Sequence, residues 1–122
     1  MHNFKKLKIW DESMLLVSES YKLTRTFPEF ESYGLTSQMN RSAVSIPSNI
    51  SEGSSKSSDK HFNKYLEDSL GEDSLGSAFE WETQLNVAYN ERYLSKEKFN
   101  ELEQKIKQIQ KMISGFQSRL KL

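Results

Sequence analysis

From Phe99 to Leu120 a large apolar residue recurs at alternating spacings of three and four: Phe99, Leu102, Ile106, Ile109, Ile113, Phe116 and Leu120. Only an α-helix puts such a series on one side, and three heptads of it demand a partner surface of similar length. Ser95 stands where an N-cap is needed, so this helix is predicted over 95–120.

Three further stretches carry helical spacing. Leu7, Trp10, Met14, Val17, Tyr21 and Thr24 predict a helix over about 4–26, which Phe27-Pro28 terminates because proline disfavours helical geometry in the residue before it. Ile9, Leu16 and Leu23 form a second stripe at seven-residue spacing, about 100° further round the same helix. Two readings stay open for that stripe: a second neighbouring helix of the same chain, or an interface with another copy. The segment 35–53 carries Leu35, Met39, Ala43, Ile46 and Ile50 on one face, with Arg41, Ser45, Ser48 and Glu52 opposite. Pro47 lies inside it and removes the donor that the Ala43 carbonyl would use, and Gly53 supplies a stop.

A third helix is expected over 58–90, with Phe62, Leu66, Leu70, Phe79, Leu85 and Ala88 as its apolar face. Its middle repeats five residues in tandem, Glu67-Asp68-Ser69-Leu70-Gly71 and then Glu72-Asp73-Ser74-Leu75-Gly76. Five helical residues rotate the face by a net offset of about 140°, so an irregularity is predicted within 67–76, near the two glycines. With 122 residues in one domain and no strand-like alternation, the expected fold is all-α, an antiparallel up-and-down four-helix bundle.

Composition narrows the chemistry. Cysteine is absent, which removes disulfides and thiolate sites and fits a cytoplasmic protein. No apolar run approaches the length of a membrane span. His2 and His61 are the two histidines, and Ser58 occupies the place a Glu-x-x-His metal pair would need. No phosphate-cradling glycine loop or nucleophile elbow is present, so no metal, cofactor or catalytic role is expected.

Seventeen basic and seventeen acidic residues cancel overall, yet residues 91–122 hold eight bases against four acids. Lys98, Lys105 and Arg119 lie on one flank of the last helix; with Lys107, Lys111, Lys121, Lys5, Lys6 and Lys8 they are the candidate contacts for RNA, DNA or an acidic protein. The competing reading pairs this flank with the acidic third helix as internal scaffolding.

The run Tyr33-Gly34-Leu35-Thr36-Ser37-Gln38-Met39-Asn40-Arg41-Ser42-Ala43-Val44-Ser45-Ile46-Pro47-Ser48-Asn49-Ile50-Ser51-Glu52-Gly53 resembles the signature of the bundle proteins encoded in intervening sequences of bacterial 23S ribosomal RNA genes. Phe4 to Trp10, Thr26-Phe27-Pro28 and Phe79 to Leu85 are similar to the same family. The resemblance implies a four-helix bundle in which Arg41, Pro47, Asn49, Glu52 and Gly53 are structural motif positions. Members in turn resemble the accessory variability protein of diversity-generating retroelements, which implies a ring-like homo-oligomer, a pentamer by preference, and a nucleic-acid or protein partner. It implies no catalytic residue. Two departures stand out: those relatives are strongly basic whereas this chain is neutral, and the tandem repeat looks like an insertion.

Overall fold

The structure, a computed structural model, describes residues 3–54 and 73–120, with the backbone alone at 54 and 117–120. Four helices account for most of it: α1 Lys8–Thr24, α2 Leu35–Ser54, α3 Leu75–Asn90 and α4 Lys96–Leu120. No strand occurs among the described residues. Each helix packs on its sequence neighbour, and α4 returns to α1 to close the ring. Cross-helix pairs give the directions. Thr24 and Ser20 of α1 meet Asn40 of α2, while Trp10 lies beside Pro47. Ser42 meets Gln84 of α3, and Ser45 meets Ser77. Glu82 meets Gln110 of α4, and Tyr89 stacks on Phe99. All three pairings run antiparallel, so the fold is the expected up-and-down bundle.

Local chemistry sets the helix ends. The expected start near residue 4 is a 3-10 turn, Phe4–Lys6, whose Asn3 side chain accepts from the Lys5 amide; Leu7 is extended, and α1 begins at Lys8. Ser95 caps α4 by accepting the Lys98 amide at 3.1 Å. Between α3 and α4, Arg92 takes a left-handed φ of 64°, so the Tyr93 amide reaches back to the Ala88 carbonyl at 2.9 Å. A Schellman turn of this kind favours glycine at that place. Arg92→Gly is therefore expected to leave stability unchanged or raise it by up to about 1 kcal/mol. A clear fall in the urea midpoint would contradict this.

Pro47 is buried inside α2, which continues through it to Ser54. The Ser48 hydroxyl donates to the Val44 carbonyl at 2.8 Å, one residue beyond the carbonyl that proline deprives. The tandem repeat up to Glu72 lies outside the described residues; Asp73 and Ser74 form a π-helical step, and Gly76 is helical. Phe62, Leu66 and Leu70 also lie outside them.

The core contains Met39, Ala43, Ile46 and Ile50 of α2 and Leu102, Ile106, Ile109 and Ile113 of α4, as the spacing predicts. Two helices depart from the sequence reading. In α3 the inward face is Ala78, Trp81, Leu85 and Ala88, whereas Phe79 is half exposed. In α1 the inward stripe is Ile9, Leu16 and Leu23, with Ser13 and Ser20 buried between them. Those three apolar side chains are spent inside their own protomer and cannot also serve as an interface with a sister copy. The alternative seam lies at the edge of the core: Met14 and Tyr21 are each about two-fifths exposed, while Leu7, Trp10 and Val17 are half-buried against it.

The physical reason is Trp81. It is completely buried, and an indole N–H taken from water needs an acceptor. Ser20 provides one at 3.0 Å and itself donates to Asn40 Oδ1 at 2.9 Å. Turning α1 so that Ser20 meets the indole carries Ile9, Leu16 and Leu23 inward and leaves Met14 and Tyr21 outside.

Candidate functional site

The basic flank of α4 is already occupied. Lys98 and Lys105 both reach Glu19 of α1, at 3.4 and 3.6 Å, and both reach Glu101 on their own helix at 3.5 Å. Lys107 pairs with Glu103, also at 3.5 Å. The internal-scaffolding reading thus describes Lys98 and Lys105, but their partner is α1 rather than the acidic third helix. Lys111 is exposed and lies about 120° round α4 from Lys105, so the two do not share a face. Lys5, Lys6 and Lys8 are exposed at the start of α1, and no carboxylate pairs with them among the described residues. The side chains of Arg119 and Lys121 lie outside the described residues. The seven of these lysines that are described are thus divided between the start of the chain and different faces of α4.

Glu19 is the electrostatic centre of the α1–α4 seam. Burial pushes its carboxyl up, but the charges of Lys105 and Lys98, the Lys98 hydrogen bond and the charge of Lys22 outweigh that and hold it below its ordinary 4.5. A carboxyl lowered on folding stabilises the folded state fully above its unfolded value, and the contribution is lost as pH falls through the lowered one. Glu19→Gln is expected to cost at most about 1 kcal/mol at neutral pH, because the lysines remain partly exposed. The cost should shrink on acidification below pH 4.5 and with added salt. Urea midpoints measured at neutral and acidic pH would show a constant difference if the clamp contributed nothing.

The motif positions of α2 serve helix packing. Asn49 Nδ2 donates to Ser45 Oγ at 3.2 Å, and Ser45 meets Ser77 of α3 at 2.8 Å. Gly53 and Pro47 are buried, while Arg41 and Glu52 face outward. A second polar seam runs deeper, where the buried Ser42 donates to Gln84 Oε1 at 2.6 Å and Gln84 Nε2 donates to Glu80. Sequence reasoning passed over Ser20, Asn40, Ser42 and Gln84. Their one signal was serine at 13 and 20, a heptad apart inside the Ile9, Leu16 and Leu23 stripe.

Two features remain on the outside. The first is a groove between α1 and α2 of about 290 Å3, lined by Phe4, Trp10, Met14, Val17, Val44 and Pro47, with Ser48 and Ser51 at its margin. Phe4 closes one end by packing edge-on against Trp10, with ring centroids 5.3 Å apart. The second lies at the opposite pole, where the 3-10 turn Glu29–Glu31 presents Phe30, 78% exposed, and the following Tyr33, fully exposed. That turn is held firmly. Glu31 accepts the Leu35 amide at 3.2 Å, capping α2, and accepts the Tyr93 hydroxyl at 2.9 Å. Loss of hydration, then the Glu31 hydrogen bond and the charges of Glu31 and Glu91, raise the Tyr93 phenol above its ordinary 10.0, so it stays a donor at neutral pH. Tyr93 also packs on Phe27, with centroids 5.2 Å apart. A Cβ at Gly34 would sit 3.0 Å from Glu31 Oε1, so the glycine leaves the carboxylate room to cap.

Among the described residues no group of histidine, aspartate and glutamate side chains is arranged to hold a metal ion. Among them, too, no helix is long and apolar enough to cross a membrane. A comparison with curated proteins yields no match. Among solved structures, a protein of unknown function from the S23 ribosomal protein family of Bacteroides thetaiotaomicron superposes with a TM-score of 0.74. It is 22% identical, over 89% of this chain and 97% of its own, a likeness that speaks to the fold alone. The sequence description of 23S rRNA-intervening sequence proteins matches residues 5–115, nearly the whole chain, and the protein therefore belongs to that family.

Proposed function

We propose that this protein is a non-enzymatic, cytoplasmic, homo-oligomeric scaffold whose subunits meet through the apolar outer face of α1 and α2. One observation carries the reading. Leu7, Trp10, Met14, Val17 and Tyr21 repeat at the three-and-four spacing of a helix seam, yet none is fully buried, and Trp10, Met14 and Val17 line an open groove with Val44 of α2. Contiguous exposed apolar surface of this kind marks an interaction site. The resemblance noted above favours a closed ring, with five copies as the expected number. Solution mass by light scattering tests the reading: Met14→Glu with Val44→Glu should reduce the mass to that of one chain. A monomeric unaltered protein at high concentration would refute it.

A role in nucleic-acid binding is the second reading, and Lys5, Lys6 and Lys8 favour it, since they are exposed and pair with no carboxylate among the described residues. A ring repeats such a triplet once per copy, and repeated weak contacts reinforce one another. Replacing the three with glutamate should abolish RNA retention at low salt. Equal replacement at Lys98 and Lys105 should have the smaller effect, because those lysines are neutralised by Glu19 and Glu101. The reverse order would restore the α4 flank as the contact.

A further inference from the structure

We infer that the groove between α1 and α2 receives the Phe30 and Tyr33 side chains of the next copy, an inference that rests on the assembly reading above. The two surfaces complement each other in size and in chemistry. The groove is open, apolar and about 290 Å3 in volume, with room for an aromatic ring. Phe30 and Tyr33 are large aromatic side chains projecting from the opposite pole, 78% and 100% exposed. Aromatic anchors in apolar pockets dominate binding energy at protein interfaces.

Pre-organisation strengthens the case. The turn is stiffened by the Glu31 cap, by the Tyr93 hydroxyl and by the Ser32 hydroxyl, which donates to the Glu29 carbonyl at 2.7 Å. Little conformational freedom is left to lose on docking, so more of the contact energy appears as affinity. Among the described residues, neither ring belongs to the core or packs against it.

Charge selects the occupant. Glu29 is exposed beside Phe30 and pairs with no cation among the described residues. Lys5, Lys6 and Lys8 are exposed and lie in the chain between Phe4 and Trp10, two residues that line the groove. An acidic, aromatic turn and an apolar groove with exposed lysines next to its lining residues, on one chain, are suited to a second copy of that chain. Because the turn and the groove are different surfaces, the contact is heterologous: each copy uses its turn on one neighbour and its groove on the other. Rings arise from such contacts when the rotation closes.

Heterology gives the test its power. The full chain is compared with a turn variant, Phe30→Ser with Tyr33→Ser, and a groove variant, Met14→Glu with Val44→Glu. All four positions are partly or fully exposed, so helical content by circular dichroism should match the unaltered chain. At a concentration where the unaltered chain is assembled, each variant alone is expected to have the mass of one chain. An equimolar mixture should give a two-chain species, since the intact turn of one variant still fits the intact groove of the other. A turn variant that keeps the full assembled mass would overturn the pairing while leaving the assembly reading intact. A mixture in which both variants stay monomeric would overturn it as well, pointing to a self-complementary face. A monomeric unaltered chain would remove both.

Discussion

Replacing Trp81 with alanine is expected to cost about 3–5 kcal/mol, a large share of the roughly 5–15 kcal/mol that holds a domain of this size folded. The side chain is fully buried among Leu16, Ile46 and other core residues, so its removal leaves a void lined by apolar groups that cannot all move in to fill it. It also takes away the donor to Ser20, whose hydroxyl is itself buried and bonded onward to Asn40. Trp81→Phe separates the two effects by keeping most of the volume and removing the N–H. It should cost clearly less than alanine but more than a volume-conserving exchange, which stays below about 1.5 kcal/mol. Urea unfolding at one fixed protein concentration measures both, the concentration being held because assembly itself would shift the midpoint. A loss below about 1 kcal/mol for alanine would mean that the indole is not the centre of the core.

The second large effect contrasts two adjacent leucines. Leu16→Ala should cost about 2–5 kcal/mol, and Leu15→Ala no more than about 0.5 kcal/mol. Leu16 is 2% exposed and its neighbour 61%, because a step of one residue turns the helix by about 100°. The comparison also decides which α1 stripe is the intramolecular one. If Trp10, Met14 and Val17 formed the core seam, Met14→Ala would be the costly change and Leu16→Ala the mild one. The structure places the cost at Leu16.

Legibility differed sharply between helices. For α4, and for α2 from Met39 to Ile50, one apolar stripe exists and no competitor, so the inward face followed from spacing alone. For α1 two stripes compete, and the better-spaced one, Leu7 to Tyr21, is the one left only partly covered. Hydrophobic periodicity weighs side chains by greasiness, and it gives no credit to Ser13 and Ser20. In the fold both small residues are fully buried, and Ser20 satisfies the indole. Phe79 misled for the same reason: it is as apolar as Trp81, but two residues apart on a helix means nearly opposite faces. Ion pairing was misassigned because net charge by segment names the acidic helix three, while Glu19, in a stretch (residues 1–26) with five bases against three acids, is the group that stands between Lys98 and Lys105.

Spacing, capping and the breaks at Phe27-Pro28 and Ser95 were enough to determine four helices and their order. Short connections between amphipathic helices leave few arrangements other than antiparallel neighbours. Which side of α1 and α3 turns inward, which lysines are neutralised, and where apolar surface is left uncovered were decided by tertiary structure. Each depends on a match between groups far apart in the chain, such as Trp81 with Ser20 or Glu19 with two lysines, and a local pattern carries no information about a partner sixty or eighty residues away.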